Sequence, residues 1–307
     1  MKINKKLFLI AVMMIPFVVI SFIYKDKTNF NLEKKKKQNK EITVRVKVDD
    51  EVKSLKLEDY VIGVVAAEMP ASFNMEALKA QAVASRSYAL YKKNTSSGEY
   101  DLTDGVGTQA YIDENKMKEK WGNEFNKYYN RVRDAVLYTE GLVMTYNNEV
   151  IEAFYFSMSS GMTQDSASVF KESTDYLKST TSPYDNESIN NYEVETEFGL
   201  DEFKSKLNLN CEIKIDYINY NENGYVSNLS ICNQVFDGNE FRNKLGLRSA
   251  NFKIELNDSI KITTKGYGHG VGMSQYGANG FANAGYGFED ILKHYYQNIE
   301  ITSIKNV

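Results

Sequence analysis

The stretch Gly266-Tyr267-Gly268-His269-Gly270-Val271-Gly272-Met273-Ser274-Gln275-Tyr276-Gly277-Ala278 constrains the fold more than any other segment. Its first four glycines alternate with larger residues and frame one of only two histidines in the chain. Glycine is required where the backbone takes positive φ or where something passes very close to it, so the run predicts intimate backbone packing. With His269, Ser274 and Gln275 carried on bare backbone, it reads as one wall of a binding cleft. It is not a phosphate loop: the Gly-x-x-x-x-Gly-Lys-Ser/Thr order is absent, and no dinucleotide-type βαβ context precedes it.

A chain of 307 residues holds one large or two ordinary domains. An apolar content of 42% with only three prolines describes an ordered globular protein, and a net charge of -4 argues against nucleic acid as a partner. Tyrosine occurs 22 times against a single tryptophan. Exposed tyrosines suit carbohydrate, stacking on a sugar while the hydroxyl hydrogen-bonds it, although codon bias is the plainer source.

Residues 7–24 form an almost uninterrupted apolar run preceded by Lys2, Lys5 and Lys6. Its length reaches the lower limit for a membrane-spanning helix. No small-x-small cleavage site succeeds it, so residues 1–24 are expected to be a cytoplasmic tip and an uncleaved signal anchor. Residues 25–40, rich in lysine and without periodicity, read as a flexible linker. Those lysines would favour the cytoplasm under the positive-inside rule, which conflicts with export of residues 41–307.

Residues 41–307 are expected to form a single intertwined α+β domain of hairpins and helices around a cleft. Ile42, Val44, Val46 and Val48 alternate with polar residues as a half-buried strand does. Asp49 and Asp50 turn it into a partner over 52–57. A short helix over 58–67 ends before Pro70, and Asn74 caps a long one over 75–92. A polar helix is predicted over 121–136, strands over 142–146 and 150–156 about the Asn147-Asn148 turn, strands over 211–220 and 225–232, and a final helix over 288–296. Cys211 and Cys232 flank the turn at 221–224; an exported protein could pair them, and buried free thiols are the other reading.

Glu68 ends an apolar helix in Val64-Val65-Ala66-Ala67-Glu68-Met69-Pro70. A carboxyl group in apolar surroundings disfavours its charged form and can hold a proton near neutrality, as a general acid for glycosidic cleavage must. The plain alternative is a helix-end glutamate, solvated or paired with Lys79 or Arg86.

Several segments together resemble one family. Residues 61–70 (VIGVVAAEMP) with 76–89 (EALKAQAVASRSYA), the middle segment 153–163 (AFYFSMSSGMT), 176–185, and the glycine run with 291–296 (ILKHYY) occur in the order of the stage II sporulation protein D (SpoIID/LytB) family. The resemblance extends over residues 42–305. It implies a membrane-anchored lytic transglycosylase that cuts peptidoglycan glycan strands during engulfment, with its catalytic part outside the cytoplasmic membrane, between mother cell and forespore. A SpoIIP-type amidase and a SpoIIM-type membrane protein are the implied partners. A non-catalytic wall-binding module that activates an amidase is the competing reading.

By the family pattern, Glu68 is the catalytic acid/base. Gln81, Arg86, Ser159, Ser160, His269, Ser274 and Gln275 match recurring motif positions and are expected to line the glycan groove. A hydrolase would instead need a second carboxylate; Asp101, Asp104 and Glu76 are the candidates, each with a plainer role in a turn or a helix start. His294 is expected to pack rather than react. Some family members hold zinc through a His and Cys cluster in the loop that here spans 100–111, which contains neither residue type. No metal and no cofactor are expected.

Overall fold

A computed structural model describes residues 42–105 and 107–306 of the chain. The proposed anchor over 7–24 and linker over 25–40 lie outside the described residues. From Thr43 onwards the chain forms one compact unit.

Alternating valines make β1 (Thr43–Val48), which pairs antiparallel with β2 (Glu51–Lys56) through a turn at Asp49 and Asp50, both at positive φ. Helix α1 (Leu57–Glu68) comes directly after, ending at the bend before Pro70. Helix α2 (Met75–Thr95) starts at Asn74, whose side chain accepts the Glu76 N–H. Strand β3 (Leu102–Thr103) pairs parallel to β1. The polar helix expected over 121–136 is two helices, α3 (Glu114–Trp121) and α4 (Phe125–Tyr138), because Gly122 takes φ +49° between them.

The Asn147-Asn148 turn joins β4 (Leu142–Tyr146) to β5 (Glu149–Val150). The strand expected over 150–156 is interrupted, resuming only as β6 (Tyr155–Phe156). After the short α5 (Ser166–Phe170) come β7 (Glu193–Phe198) and α6 (Leu200–Leu207). Strands β8 (Ile215–Tyr220), β9 (Val226–Ile231) and β10 (Gln234–Asp237) form an antiparallel meander, followed by α7 (Gly238–Leu245). Residues 211–214 are not strand: Cys211 and Cys232 are joined in a disulfide there, so the free-thiol reading is set aside. Strands β11 (Phe252–Leu256) and β12 (Ile260–Lys265) complete another three-stranded sheet with β7. The chain ends in β13 (Met273–Ser274), α8 (Gln275–Asn283), α9 (Phe288–Tyr295) and β14 (Glu300–Ser303), which returns to pair with β4.

The result is a mixed α and β fold of several small sheets. Helix α2 is its axis, packed on α1, α4, α8, α9 and β4 and buried from Ala80 to Leu90. A separate aromatic core, with Phe203, Phe236, Phe241 and Phe252 in ring contact, sits under the 198–262 segment.

The glycine run does what its spacing demands. Gly266, Gly268, Gly270 and Gly272 all lie at positive φ, between 77° and 121°, and a Cβ on Gly266 or Gly268 would press into Met158 O or Phe156 Cβ, each 2.7 Å away. Its backbone is stitched to the 154–164 segment through Tyr267 N to Met158 O (2.7 Å) and Gln164 N to Gly270 O (2.7 Å). It is therefore a packed seam over most of its length. Only its C-terminal end, where α8 begins, reaches the neighbourhood of Glu68.

Candidate active site

Glu68 is the last residue of α1, half-buried, and flanked by groups from three other segments. Its Oε1 accepts the Ala110 N–H at 2.8 Å, and the Gln275 side chain also hydrogen-bonds the carboxylate. Burial pushes the carboxyl above its ordinary range, against those two hydrogen bonds and the nearby Lys120 ammonium, which favour the charged form. Such a group keeps its proton to higher pH than a solvated glutamate does.

The loop that supplies Ala110 is built to hold still. Arg45 grips Asp101 through its backbone N–H (2.8 Å) and guanidinium (2.5 Å), and the Thr108 hydroxyl bridges the N–H and C=O of Thr103. On the other side, the loop lies directly on α1. Gly63 makes that approach possible, because any Cβ would collide with the Tyr111 ring and sit 2.7 Å from Ile112 O. Lys120 of α3 donates to Ala66 O (2.8 Å) and Ala67 O (3.1 Å), closing the last carbonyls of α1 next to Glu68.

Behind the carboxylate runs a buried polar chain. Gln275 Nε2 donates to Gln81 Oε1 (3.4 Å), Gln81 Nε2 to Ser85 Oγ (3.0 Å), Gln109 Nε2 to the Tyr155 hydroxyl (2.9 Å), and the Tyr60 hydroxyl to Gln109 Oε1 (3.2 Å). Gln275 carries two amide hydrogens, enough to serve both Gln81 and Glu68. Burial, and then the Glu68 charge, keep the Tyr155 phenol well above its usual range, so it stays protonated.

Of the sequence-predicted residues, the fold gathers Glu68, Gln81 and Gln275. It places the others elsewhere. Arg86 is fully buried and pairs with Glu58, not Glu68: its Nη2 is 2.6 Å from Glu58 Oε2, and it also donates to Leu142 O and Val136 O. A guanidinium so committed is unavailable to a glycan. Ser159 and Ser274 are buried and bonded to the carboxylate of Asp185, Ser274 also capping α8 through the Gly277 N–H. Ser160 accepts from Asn251 Nδ2 at 3.0 Å.

His269, expected to line the groove, has both ring nitrogens engaged within the protein. Its Nδ1 accepts the Val271 N–H (3.1 Å), which leaves Nε2–H to donate to Tyr155 O (3.1 Å), and Phe154, Phe156 and Phe170 surround the ring. Burial lowers its pKa to about 4, with Arg242 adding to the effect. His294 bonds Thr181 O and packs on Phe281 and Tyr295, a packing role as expected.

Two of the three candidate second carboxylates are committed. Burial pushes Asp101 up, but its hydrogen bonds to Arg45 hold it below the ordinary carboxylate range. Glu76 takes Lys79 and the Phe288 N–H, tying α9 to α2. Asp104 alone shares a neighbour with Glu68, since the charges of both act on Tyr60. Among the described residues, no cluster of three His, Cys, Asp or Glu gathers as a metal site would. An open depression of about 490 Å³, lined by Asp165, Lys178, Ser179 and Asn223 among others, shares no residue with the surroundings of Glu68.

Ala110, Lys120 and Asp185 escaped the sequence reading. The first acts through its backbone N–H, which residue identity does not reveal. Lys120 carried no signal beyond a polar helix, and Asp185 lay in a matched motif without an assigned role.

Comparison with known proteins bears on this arrangement. A family model described as Stage II sporulation protein (SpoIID) matches residues 47–146. Over 260 residues the chain is 40% identical to stage II sporulation protein D of Bacillus subtilis (strain 168), across 82% of this chain and 76% of that one. The corresponding protein of Bacillus amyloliquefaciens is also 40% identical over 260 residues, with 82% and 75% covered. An amidase enhancer of Bacillus subtilis (strain 168) is 29% identical over 298 residues, spanning 78% of this chain and 40% of its own length.

Proposed function

This chain belongs to the stage II sporulation protein D family, and from that premise we propose that it is a lytic transglycosylase of peptidoglycan with Glu68 as its single acid/base. The observation that carries the reading is the Glu68 carboxyl itself: its pKa raised by burial, its position set by Ala110 and Gln275, and, among the described residues, no second carboxylate hydrogen-bonded to it.

In the first half-reaction, protonated Glu68 gives its proton to the oxygen joining C1 of N-acetylmuramic acid to O4 of N-acetylglucosamine. The C1–O4 bond breaks, and the N-acetylglucosamine leaves with a free 4-hydroxyl. The Ala110 N–H, the Gln275 amide and the Lys120 charge stabilise the carboxylate left behind. In the second, that carboxylate takes the proton of the muramic acid 6-hydroxyl while O6 attacks C1. A 1,6-anhydro ring closes and Glu68 ends protonated, ready for another turn. The nucleophile is already part of the substrate, so proximity replaces a bound water and a second carboxylate.

We propose a placement as well. The apolar segment over 7–24 would anchor the chain, and the Cys211–Cys232 disulfide suits an oxidising space outside the cytoplasm, between the mother-cell and forespore membranes. A SpoIIP-type amidase and a SpoIIM-type membrane protein would be the partners there. The similarity to a protein named amidase enhancer favours a second reading, in which the chain holds a glycan strand and activates an amidase without cutting.

The test is to compare the full chain with Glu68→Gln and Glu68→Ala on purified glycan strands. Both variants should keep their binding to strands and lose cleavage by roughly 10²–10⁴-fold. Cleavage by Glu68→Gln at the wild-type rate would remove Glu68 from the chemistry. Strand binding without cleavage by the wild type, together with a faster partner amidase, would establish the second reading.

A further inference from the structure

Asp185 lies at the end of the 182–185 turn and is only 2% exposed. Its Oδ2 accepts the Ser159 N–H (3.0 Å), the Ser159 hydroxyl (2.7 Å) and the Ser182 hydroxyl (2.8 Å), and the Ser274 hydroxyl also bonds the carboxylate. Oδ1 is buried with no partner among the described residues. Burial raises the pKa of Asp185, and the serine hydrogen bonds favour its charged form. Ionised, it only accepts, so Ser159 and Ser182 each give it their one proton, while the Ser274 proton lies between it and Ser157 O, 3.4 Å from Ser274 Oγ.

That requirement fixes the rest of the bonding of Ser159 and Ser182. Ser159 Oγ is left to accept the Gly161 N–H (3.1 Å), and Ser182 Oγ to accept from the Tyr295 hydroxyl (2.6 Å). Ser274 Oγ accepts the Gly277 N–H (3.1 Å), which makes it the N-cap of α8. The first turn of α8 lies directly on this cluster: a Cβ at Gly277 would collide with Tyr295 Oη and Ser182 Oγ. The residue after the cap is Gln275, which reaches both Glu68 and Gln81.

We propose that Asp185 is a positioning residue for glycan cleavage: by bonding the Ser274 hydroxyl it sets the cap that starts α8, and so holds the Gln275 amide against Glu68. This rests on Glu68 being the acid/base. Asp185 is too enclosed to touch substrate and acts only through Ser274 and Gln275.

The test uses the full chain with Asp185→Ala, Asp185→Asn and Ser274→Ala, and it reads two quantities. In the first, Asp185→Ala should lower kcat by roughly ten- to hundredfold, as small displacements of a catalytic group do, with KM changed less than about threefold. Asp185→Asn keeps one acceptor oxygen for the serines and should stay within about threefold of wild type in kcat. The second is independent of activity: the side-chain amide resonances of Gln275, which in the wild type should shift on Glu68→Gln, should lose that dependence in Asp185→Ala.

If Asp185→Ala does not fold, Ser274→Ala removes one bond of the set and carries the same expectations. A Gln275 amide that still responds to Glu68 in the folded variant overturns the proposal, as does a kcat lost equally in Asp185→Asn and Asp185→Ala. If the wild type proves not to cut glycan, the acid/base reading falls, and the Gln275 resonances still decide whether Asp185 places that side chain.

Discussion

Replacing Arg86 with methionine separates a structural pair from a groove residue. The guanidinium is fully buried, with Glu58 at 2.6 and 2.9 Å and the carbonyls of Leu142 and Val136 at 3.1 and 3.2 Å. Glu58 also accepts the Gly141 N–H, so this one pair ties the starts of α1 and β4 to the end of α4. Removing one partner of a buried pair typically costs about 3–5 kcal/mol, because the other charge stays behind unpaired. The Glu58 side chain is 22% exposed and keeps some water, which puts the expected loss at the lower end, about 3 kcal/mol. For a domain of this size that corresponds to a fall of about 6–12 °C in melting temperature. Differential scanning fluorimetry of the full chain measures it, and the double variant Arg86→Met/Glu58→Leu should recover part of the loss, since no charge is left stranded. Co-sedimentation with glycan strands supplies the contrast. If Arg86→Met melts within about 2 °C of wild type yet binds strands more than about tenfold more weakly, the guanidinium serves the substrate and the structural account of it fails.

Glu68 keeps its proton to higher pH in the folded protein than in the unfolded chain, so its contribution to stability is full at acid pH and is lost as pH rises through its folded pKa. Glu68→Gln, which cannot ionise, should therefore melt above wild type at about pH 8 and close to it at about pH 4; a lower melting point at both would contradict the burial argument. His269 has the opposite sign. With its pKa lowered to about 4 it contributes stability above the usual imidazole value, on the order of 2–3 kcal/mol, and this is lost as pH falls from about 6.5 towards 4. Urea midpoints at two pH values should show that slope in wild type and not in His269→Gln. The Cys211–Cys232 bond closes a loop with a sequence separation of 21, for which chain entropy gives about 3 kcal/mol. Reduction should lower the urea midpoint accordingly, and an unchanged midpoint would show the link to be without energetic weight.

The sequence revealed the parts of the site that depend on local signals. Pro70 and the Asn74 cap delimit α1 and α2, and apolar neighbours mark Glu68 as a carboxyl with a displaced proton affinity. The alternating glycines announced positive φ and close approach, and both are present. What residue type does not encode is direction. Arg86, Ser159 and Ser274 have the donors a glycan needs, yet each is turned to a partner 26 to 28 positions away or further, at Glu58 or Asp185. Strands β7, β11 and β12 were not foreseen for a related reason: Glu193 and Glu195 look like solvated chain until Lys265 stands opposite Glu193 across the ladder and Lys261, opposite Glu197, reaches Glu195 on the diagonal at 3.3 Å. Gln275 emerged from the same glycine run as His269, and only the tertiary fold distinguishes the amide beside Glu68 from the imidazole locked among phenylalanines.

The fate of the anomeric carbon tests the central claim most directly. Digestion of glycan strands by the full chain in ¹⁸O-labelled water, followed by mass spectrometry of the new ends, distinguishes attack by the sugar's own O6 from attack by solvent. A single carboxylate at Glu68 predicts 1,6-anhydro ends that lack the mass of one water and carry no label. Reducing ends bearing one ¹⁸O would mean that water is the nucleophile and that a second group, with Asp104 the first candidate, activates it.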